Sequence, residues 1–299
     1  MRVLLTGTNG QVGGTLLPLL QQRATVIAPP RSEFDFAQPD ALSQKLDRFA
    51  PDLIVNPAAF TAVDRAEVEH ELAFRINAEA PAAIARWAAR KSVPLVHFST
   101  DYVFDGSGSE PWREDSVPNP LSVYGSSKLA GDAAIAAAGC PYLIVRTSWV
   151  YAASGANFLK TIARLAKERK ELRIVADQIG APTSAKTIVD VVANIVPMDR
   201  SGLDATFEQR KGVLNVVCAG ETSFHGFASA IVEGLRSRGW SLQVEDIVPI
   251  RSHEFPVKAK RPANSRLSLE RLRREFGILT PDWRSALEHE LDLLVAAAA

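Results

Sequence analysis

Short aliphatic and β-branched runs recur through the first half of the chain: Val3 to Leu5, Thr25 to Ala28, Leu53 to Asn56, Leu95 to Ser99 and Leu143 to Arg146. Between them lie helical patterns near Gln11 to Gln22, Asp40 to Phe49, Asn77 to Lys91 and Tyr124 to Ala138. Strands spaced by roughly 25 to 45 residues leave room for the crossover helix that parallel pairing requires, so the alternation marks βαβ units. The expected fold is α/β, a Rossmann-like doubly wound parallel sheet with a smaller carboxyl-terminal lobe. Residues 1–150 are assigned to the sheet domain and 151–299 mainly to the lobe. Late strands are expected at Leu172 to Val175 and Val213 to Val217, and segments 172–195 and 213–220 are expected to return to the sheet. Arg200 to Lys211 carries charge and glycine without a clear period and reads as a surface loop.

The composition excludes several classes. With 34 basic residues against 34 acidic ones, the chain has no bulk charge for binding nucleic acid, although a local patch suffices for a small diphosphate. Cys140 and Cys218 are the only cysteines; with five histidines they form neither a disulfide framework nor a zinc spacing, and a reducing cytoplasm is expected. The start, MRVLLTGTNGQVGG, lacks the apolar core of a signal peptide. The alanine-rich stretches Ala78 to Ala89 and Ala133 to Ala138 are broken before membrane-spanning length, so no membrane segment is expected.

The first chemical signal is Gly7-Thr8-Asn9-Gly10-Gln11-Val12-Gly13, placed after a strand and opening a helix. Glycines let a phosphate approach the backbone, and the helix start offers unpaired N–H groups. The spacing is G-x-x-G-x-x-G rather than G-x-G-x-x-G, so the turn reads either as a dinucleotide cradle or as a plain tight turn. No carboxylate ends the second strand; Arg31 beside Ser32 suits a ribose phosphate and favours NADPH, with NADH the alternative, while a solvated charge is the plain reading. Asp35 and Phe36 are placed to border an adenine. The strongest signal is Tyr124-Gly125-Ser126-Ser127-Lys128, with Ser99-Thr100 at a strand end upstream. Residues four apart share a helix face, and an ammonium beside a phenol is expected to lower the phenol's pKa and fit it for proton transfer. Thr100 is placed to share the substrate oxygen; an ordinary surface pair is the alternative.

Taken in order, these motifs resemble the extended short-chain dehydrogenase/reductase superfamily and, within it, the dTDP-4-dehydrorhamnose reductases. The resemblance runs almost end to end, through the glycine turn, Asn56 to Asp64 with Glu67, Phe74 to Asn77, Ser99 to Gly106, Tyr124 to Lys128, Arg146 to Tyr151, Asp177 to Thr183, and Arg261-Pro262 with Asn264-Ser265. It implies reduction of dTDP-4-dehydro-L-rhamnose with NADPH, Tyr124, Lys128 and Thr100 being catalytic. By motif, Gly7, Gly10, Gln11, Val12 and Gly13 would touch the cofactor diphosphate, Asp35 and Phe36 the adenosine, and Ala58, Ala59, Phe60 and Thr61 the nicotinamide half. Thr100, Asp101, Tyr102 and Trp149 would contact the sugar, although Trp149 also reads as a core aromatic. Gln178 and Thr183 would line the nucleotide pocket or simply hold a turn, and Arg261, in a basic stretch with Lys258, Lys260 and Arg266, would meet phosphate or solvent.

Some members carry Mg²⁺ at a dimer contact built from glutamates. The matching positions here are Thr15, Lys186 and Glu288, so no metal site is expected, and the chain is expected to act as a monomer or weak homodimer. Two alternatives stay open: reduction of a related 4-keto nucleotide sugar, such as one forming a 6-deoxy-talose, and a regulatory role like that of the subunit of methionine adenosyltransferase that resembles these reductases.

Overall fold

The computed structural model describes residues 1–297. Its first half runs β1 (Arg2–Leu5), α1 (Gln11–Gln21), β2 (Thr25–Ile27), α2 (Pro39–Phe49), β3 (Leu53–Asn56), α3 (Val63–Ala66), α4 (His70–Phe74), α5 (Ala80–Lys91), β4 (Leu95–Thr100), α6 (Val123–Ala137) and β5 (Tyr142–Thr147). There follow β6 (Val150–Tyr151), α7 (Phe158–Glu168), β7 (Glu171–Val175), β8 (Ile179–Gly180), β9 (Thr183–Ser184), α8 (Ala185–Ile195), α9 (Arg200–Gln209) and β10 (Gly212–Asn215). The chain closes with β11 (Thr222–Ser223), α10 (Phe224–Ser237), β12 (Asp246–Ile250), α11 (Glu270–Phe276) and α12 (Trp283–Ala296).

Six strands form one sheet in the order β10-β5-β4-β3-β1-β2, every neighbouring pair parallel. Alternation of side chains along each strand feeds two separate cores. Val3 and Leu5 face Leu16 and Leu20 of α1 and Ile188 and Val192 of α8, while Leu4 faces Leu42 and Leu46 of α2 and Ile84 of α5. The winding reverses between β1 and β3, and a crevice opens there at the strands' carboxyl ends, where ligands enter sheets of this kind. The expected Rossmann-like architecture is therefore present.

Two expectations need correction. Residues 172–175 do not return to the sheet: β7 pairs in parallel with β12, because β10 already occupies the edge of β5 and Leu172 packs into the lobe around α7, α10 and α12. From the same stretch only α8 lies back on the sheet domain, against α1, while Gly212–Asn215 joins the sheet as β10. The segment from Arg200 is a helix rather than a loop. Asp199 caps it, accepting from Gly202 N at 2.8 Å, and Leu203 and Phe207, one turn apart, are buried. Gly202 and the charged outer face hide that period. Among the described residues no helix is long and apolar enough to cross a membrane.

Candidate active site

Gly7 adopts φ +61°, and a Cβ there would lie 2.9 Å from Ala58 N, so the ends of β1 and β3 touch backbone to backbone. A Cβ on Gly13 would lie 2.2 Å from Gly7 O, which fixes α1 tightly onto the turn. Gly10 caps α1 with no side-chain bond, leaving first-turn N–H groups facing the crevice. The resulting cavity of ≈ 670 Å³ gathers Gly7, Gly10 to Gly13, Arg31, Asp35, Phe36, Ala58, Ala59 and Thr61, and reaches Tyr124 and Lys128. Phe60 is not on its wall: it is buried, with its N–H and C=O both bonded to Asn77. Arg31 is exposed and reaches Asp35 at 3.4 Å. Gly155 and Ala156 also line the cavity, in a loop tied to α1 by Asn157 Nδ2 donating to Gln11 Oε1 at 2.9 Å. The loop is anchored again from α12, where buried Glu290 accepts from Ala153 N at 2.6 Å.

Tyr124 and Lys128 stand on successive turns of α6, which Ser122 caps by accepting from Gly125 N at 3.1 Å. A Cβ on Gly125 would sit 2.1 Å from Tyr102 O, so α6 presses directly on the segment after β4 that carries Thr100. The Tyr124 ring meets Tyr102 edge to face at 5.5 Å. Burial pushes the Tyr124 phenol above its ordinary range; the Thr100 hydroxyl pulls it down in part, and the Asp101 carboxylate pushes it up. This reverses the expected lowering by Lys128, whose ammonium faces elsewhere: it donates to Phe98 O at 2.7 Å and lies 3.0 Å from His97 Nε2. Burial brings Lys128 down to about 8, against the opposing pull of Asp132. Asp101, also buried, is raised to about 6, with the hydroxyls of Ser265, Thr100 and Ser148 pulling the other way.

Several residues that hold this centre were given no role from the sequence, Asn77 among them although it closes the Phe74 to Asn77 string. Asn77 lies in a π-helical turn, Arg75–Glu79, and donates to Ser127 Oγ at 3.0 Å, joining Phe60 to α6 between Tyr124 and Lys128. Asp132 accepts from Ser99 Oγ at 2.5 Å and lies 4.0 Å from the Arg146 guanidinium. The sequence signals were present: Asp132 follows Lys128 by one turn, and His97 is a polar residue in a fully buried strand.

A glycine cradle opening onto a tyrosine–lysine pair is a superfamily arrangement; the match along the chain is narrower. The family model described as "RmlD substrate binding domain" matches residues 1–295. The chain belongs to that family. It is 46% identical over 290 residues to the dTDP-4-dehydrorhamnose reductase of Burkholderia thailandensis, covering 96% of this chain and 97% of that one. The crystal structure of a dTDP-4-dehydrorhamnose reductase from Clostridium acetobutylicum superposes with a TM-score of 0.89 at 36% identity, covering 99% of this chain and all of that one. That of the Bacillus anthracis reductase in complex with NADP gives 0.87 at 32% identity, covering 98% and 99%.

Of the substrate-side positions suggested by resemblance to the RmlD family, Thr100, Asp101 and Tyr102 cluster at the end of β4 beside Tyr124. Trp149 has φ +47° and stacks on Phe224 with centroids 3.7 Å apart, so one of its faces is covered from the lobe. Thr183 is fully buried and uses its hydroxyl within the lobe, donating to Ala181 O and accepting from Cys218 N. Gln178 donates to Ser252 Oγ, and Arg261 pairs with Asp64 at 2.9 Å.

The glycine cradle and uncapped N–H groups fit a dinucleotide diphosphate. The residues at the family's Mg²⁺ position do not fit a hard cation: Thr15 donates to Gln11 O, Lys186 pairs with Asp190 at 2.6 Å, and Glu288 pairs with Arg238 at 2.7 Å. Among the described residues no group of three or more His, Cys, Asp or Glu is placed to hold a metal.

Proposed function

We propose that this protein reduces the 4-keto group of dTDP-4-dehydro-L-rhamnose, giving dTDP-L-rhamnose, with NADPH as the hydride donor. The observation that carries the reading is the placement of Tyr124 and Lys128 on the wall of the cavity that the glycine cradle opens. Full-length similarity to reductases of that name supports the substrate.

NADPH supplies the hydride that adds to the carbonyl carbon. The chain's own residues manage the oxygen. As the C=O π bond breaks, the oxygen gathers charge, and the Thr100 hydroxyl stabilises it by a hydrogen bond. Tyr124 then gives its phenolic proton to that oxygen. A phenol held up by burial remains protonated at neutral pH and is ready to donate. Lys128 carries positive charge below about pH 8 and holds the nicotinamide ribose. The first-turn N–H groups of Gln11 and Val12 hold the diphosphate, and Asp35 and Phe36 the adenosine. Asp101, Tyr102 and Trp149 orient the sugar. Gln178, Thr183 and Arg261 shape the nucleotide end. The enzyme acts in the cytoplasm as a monomer or weak homodimer; its Cys140 and Cys218 are buried free thiols, in keeping with a reducing compartment.

The test follows NADPH absorbance after purified protein is added to dTDP-4-dehydro-L-rhamnose made in situ, with and without EDTA. Oxidation yielding dTDP-L-rhamnose, unaffected by EDTA, is the expected result. Folded protein that binds NADPH yet oxidises neither NADPH nor NADH would overturn the reading. Arg31 sets the cofactor preference: Arg31→Ala is expected to raise the KM for NADPH about tenfold and leave that for NADH unchanged. An unchanged NADPH/NADH ratio would remove Arg31 from the 2′-phosphate site.

A further inference from the structure

Lys128 is fully buried, and its Nζ is positioned by two groups of β4: the Phe98 carbonyl at 2.7 Å and the His97 ring at 3.0 Å. An ammonium only donates, so a His97 that serves it accepts at Nε2 and is neutral. Burial and the Lys128 charge both hold the imidazole well below its ordinary pKa, in keeping with that state. The ring proton then sits on Nδ1, 3.0 Å from the Asn56 amide nitrogen. As placed, the Asn56 oxygen accepts from Thr6 Oγ1 at 2.6 Å; turned end for end, the amide offers its oxygen to Nδ1–H and its nitrogen to Thr6 Oγ1 across the same two contacts. Thr6 in turn accepts from Ala58 N at 3.3 Å, beside the Gly7 turn. A buried polar chain thus runs beneath the crevice from the cofactor cradle on β1 to the catalytic helix α6. His97 is its middle member, with no place on the cavity wall.

We infer that His97 is the positioning residue for Lys128: as a neutral acceptor it fixes the ammonium, keeps it protonated through the working pH range and links its position to the cradle. This rests on the reading of Lys128 given above. The other charged group facing the pair is Asp132 from α6, itself 4.0 Å from the Arg146 guanidinium of β5. Asp132 accepts from Ser99 through Oδ2, and its Oδ1, 4.0 Å from His97 Nε2, makes no hydrogen bond, so the carboxylate acts on Lys128 through its charge while the ring and the Phe98 carbonyl hold the ammonium.

The test compares His97→Met with His97→Gln in the NADPH assay, since the two side chains have similar length and volume and only Gln offers an acceptor. His97→Met is expected to lower kcat about tenfold or more at unchanged sugar KM, and to move the alkaline limb of the kcat profile to lower pH. His97→Gln is expected to restore both. Because His97 acts through Lys128, the double variant His97→Met/Lys128→Met should be no slower than Lys128→Met alone. A folded His97→Met enzyme with wild-type kcat and pH limb, or a double variant whose loss is the product of the single losses, would overturn the proposal and leave His97 a core residue. Undiminished turnover by Lys128→Met would instead sink the functional reading. If His97→Met does not fold, ¹⁵N chemical shifts of the wild-type ring decide: Nδ1–H with a bare Nε2 supports the proposal, and Nε2–H overturns it.

Discussion

Tyr124→Phe is expected to lower kcat by about 10²- to 10⁴-fold while changing the NADPH dissociation constant by no more than about twofold. The loss corresponds to about 3 to 5 kcal/mol at the barrier. The substitution removes one oxygen and keeps the ring, so the edge-to-face contact with Tyr102 and the course of α6 are preserved. What disappears is the proton that must reach the developing alkoxide. Single-turnover NADPH oxidation and cofactor titration by fluorescence check the two halves separately. A parallel loss of cofactor affinity would make Tyr124 a binding or folding residue and leave the proton donor unassigned.

Gly125→Ala should be almost as damaging for a different reason. The new methyl would stand 2.1 Å from Tyr102 O and 3.0 Å from Pro120 Cβ; the nearer obstacle is backbone, which cannot swing aside. Either α6 backs away from the end of β4 or that segment deforms, at a cost of about 1 to 3 kcal/mol in stability. Tyr124 and Lys128 ride on the displaced turn while Thr100 does not, so kcat should fall by about 10²-fold even where the protein remains folded. Urea unfolding and turnover, measured on the same preparation, test both. Wild-type values in both would mean that the methyl is accommodated without moving the helix.

The cofactor half of the site was legible because its chemistry is local. Gly7 to Gly13 is one turn, Tyr124 and Lys128 are one helical turn apart, and in each case a short spacing already dictates a shape. That Phe60 is buried and held by Asn77 was not legible, because Asn77 lies in a π-helical turn that leaves no mark in the hydrophobic pattern. The strand pair β7–β12 was opaque for a similar reason: Leu172 reads as a strand, but nothing near it shows that its partner is Ile247 rather than the sheet edge. On the substrate side the decisive contacts join distant segments, such as Arg261 to Asp64, so residue type was readable and partner was not. The polar chain under Lys128 falls between these cases, since His97 is one of three polar letters in LVHFST and nothing local names its partner.

The bond from Glu290 to Ala153 has a consequence for biosynthesis. A chain emerging from the ribosome has its glycine cradle, its sheet strands up to β5 and its tyrosine–lysine helix in hand well before α12 exists. The cavity lining at Gly155 and Ala156, which Asn157 ties to α1, gains its second anchor only when that last helix has emerged and docked. Nascent protein should therefore hold the dinucleotide loosely, and tight capture should begin only once α12 has docked.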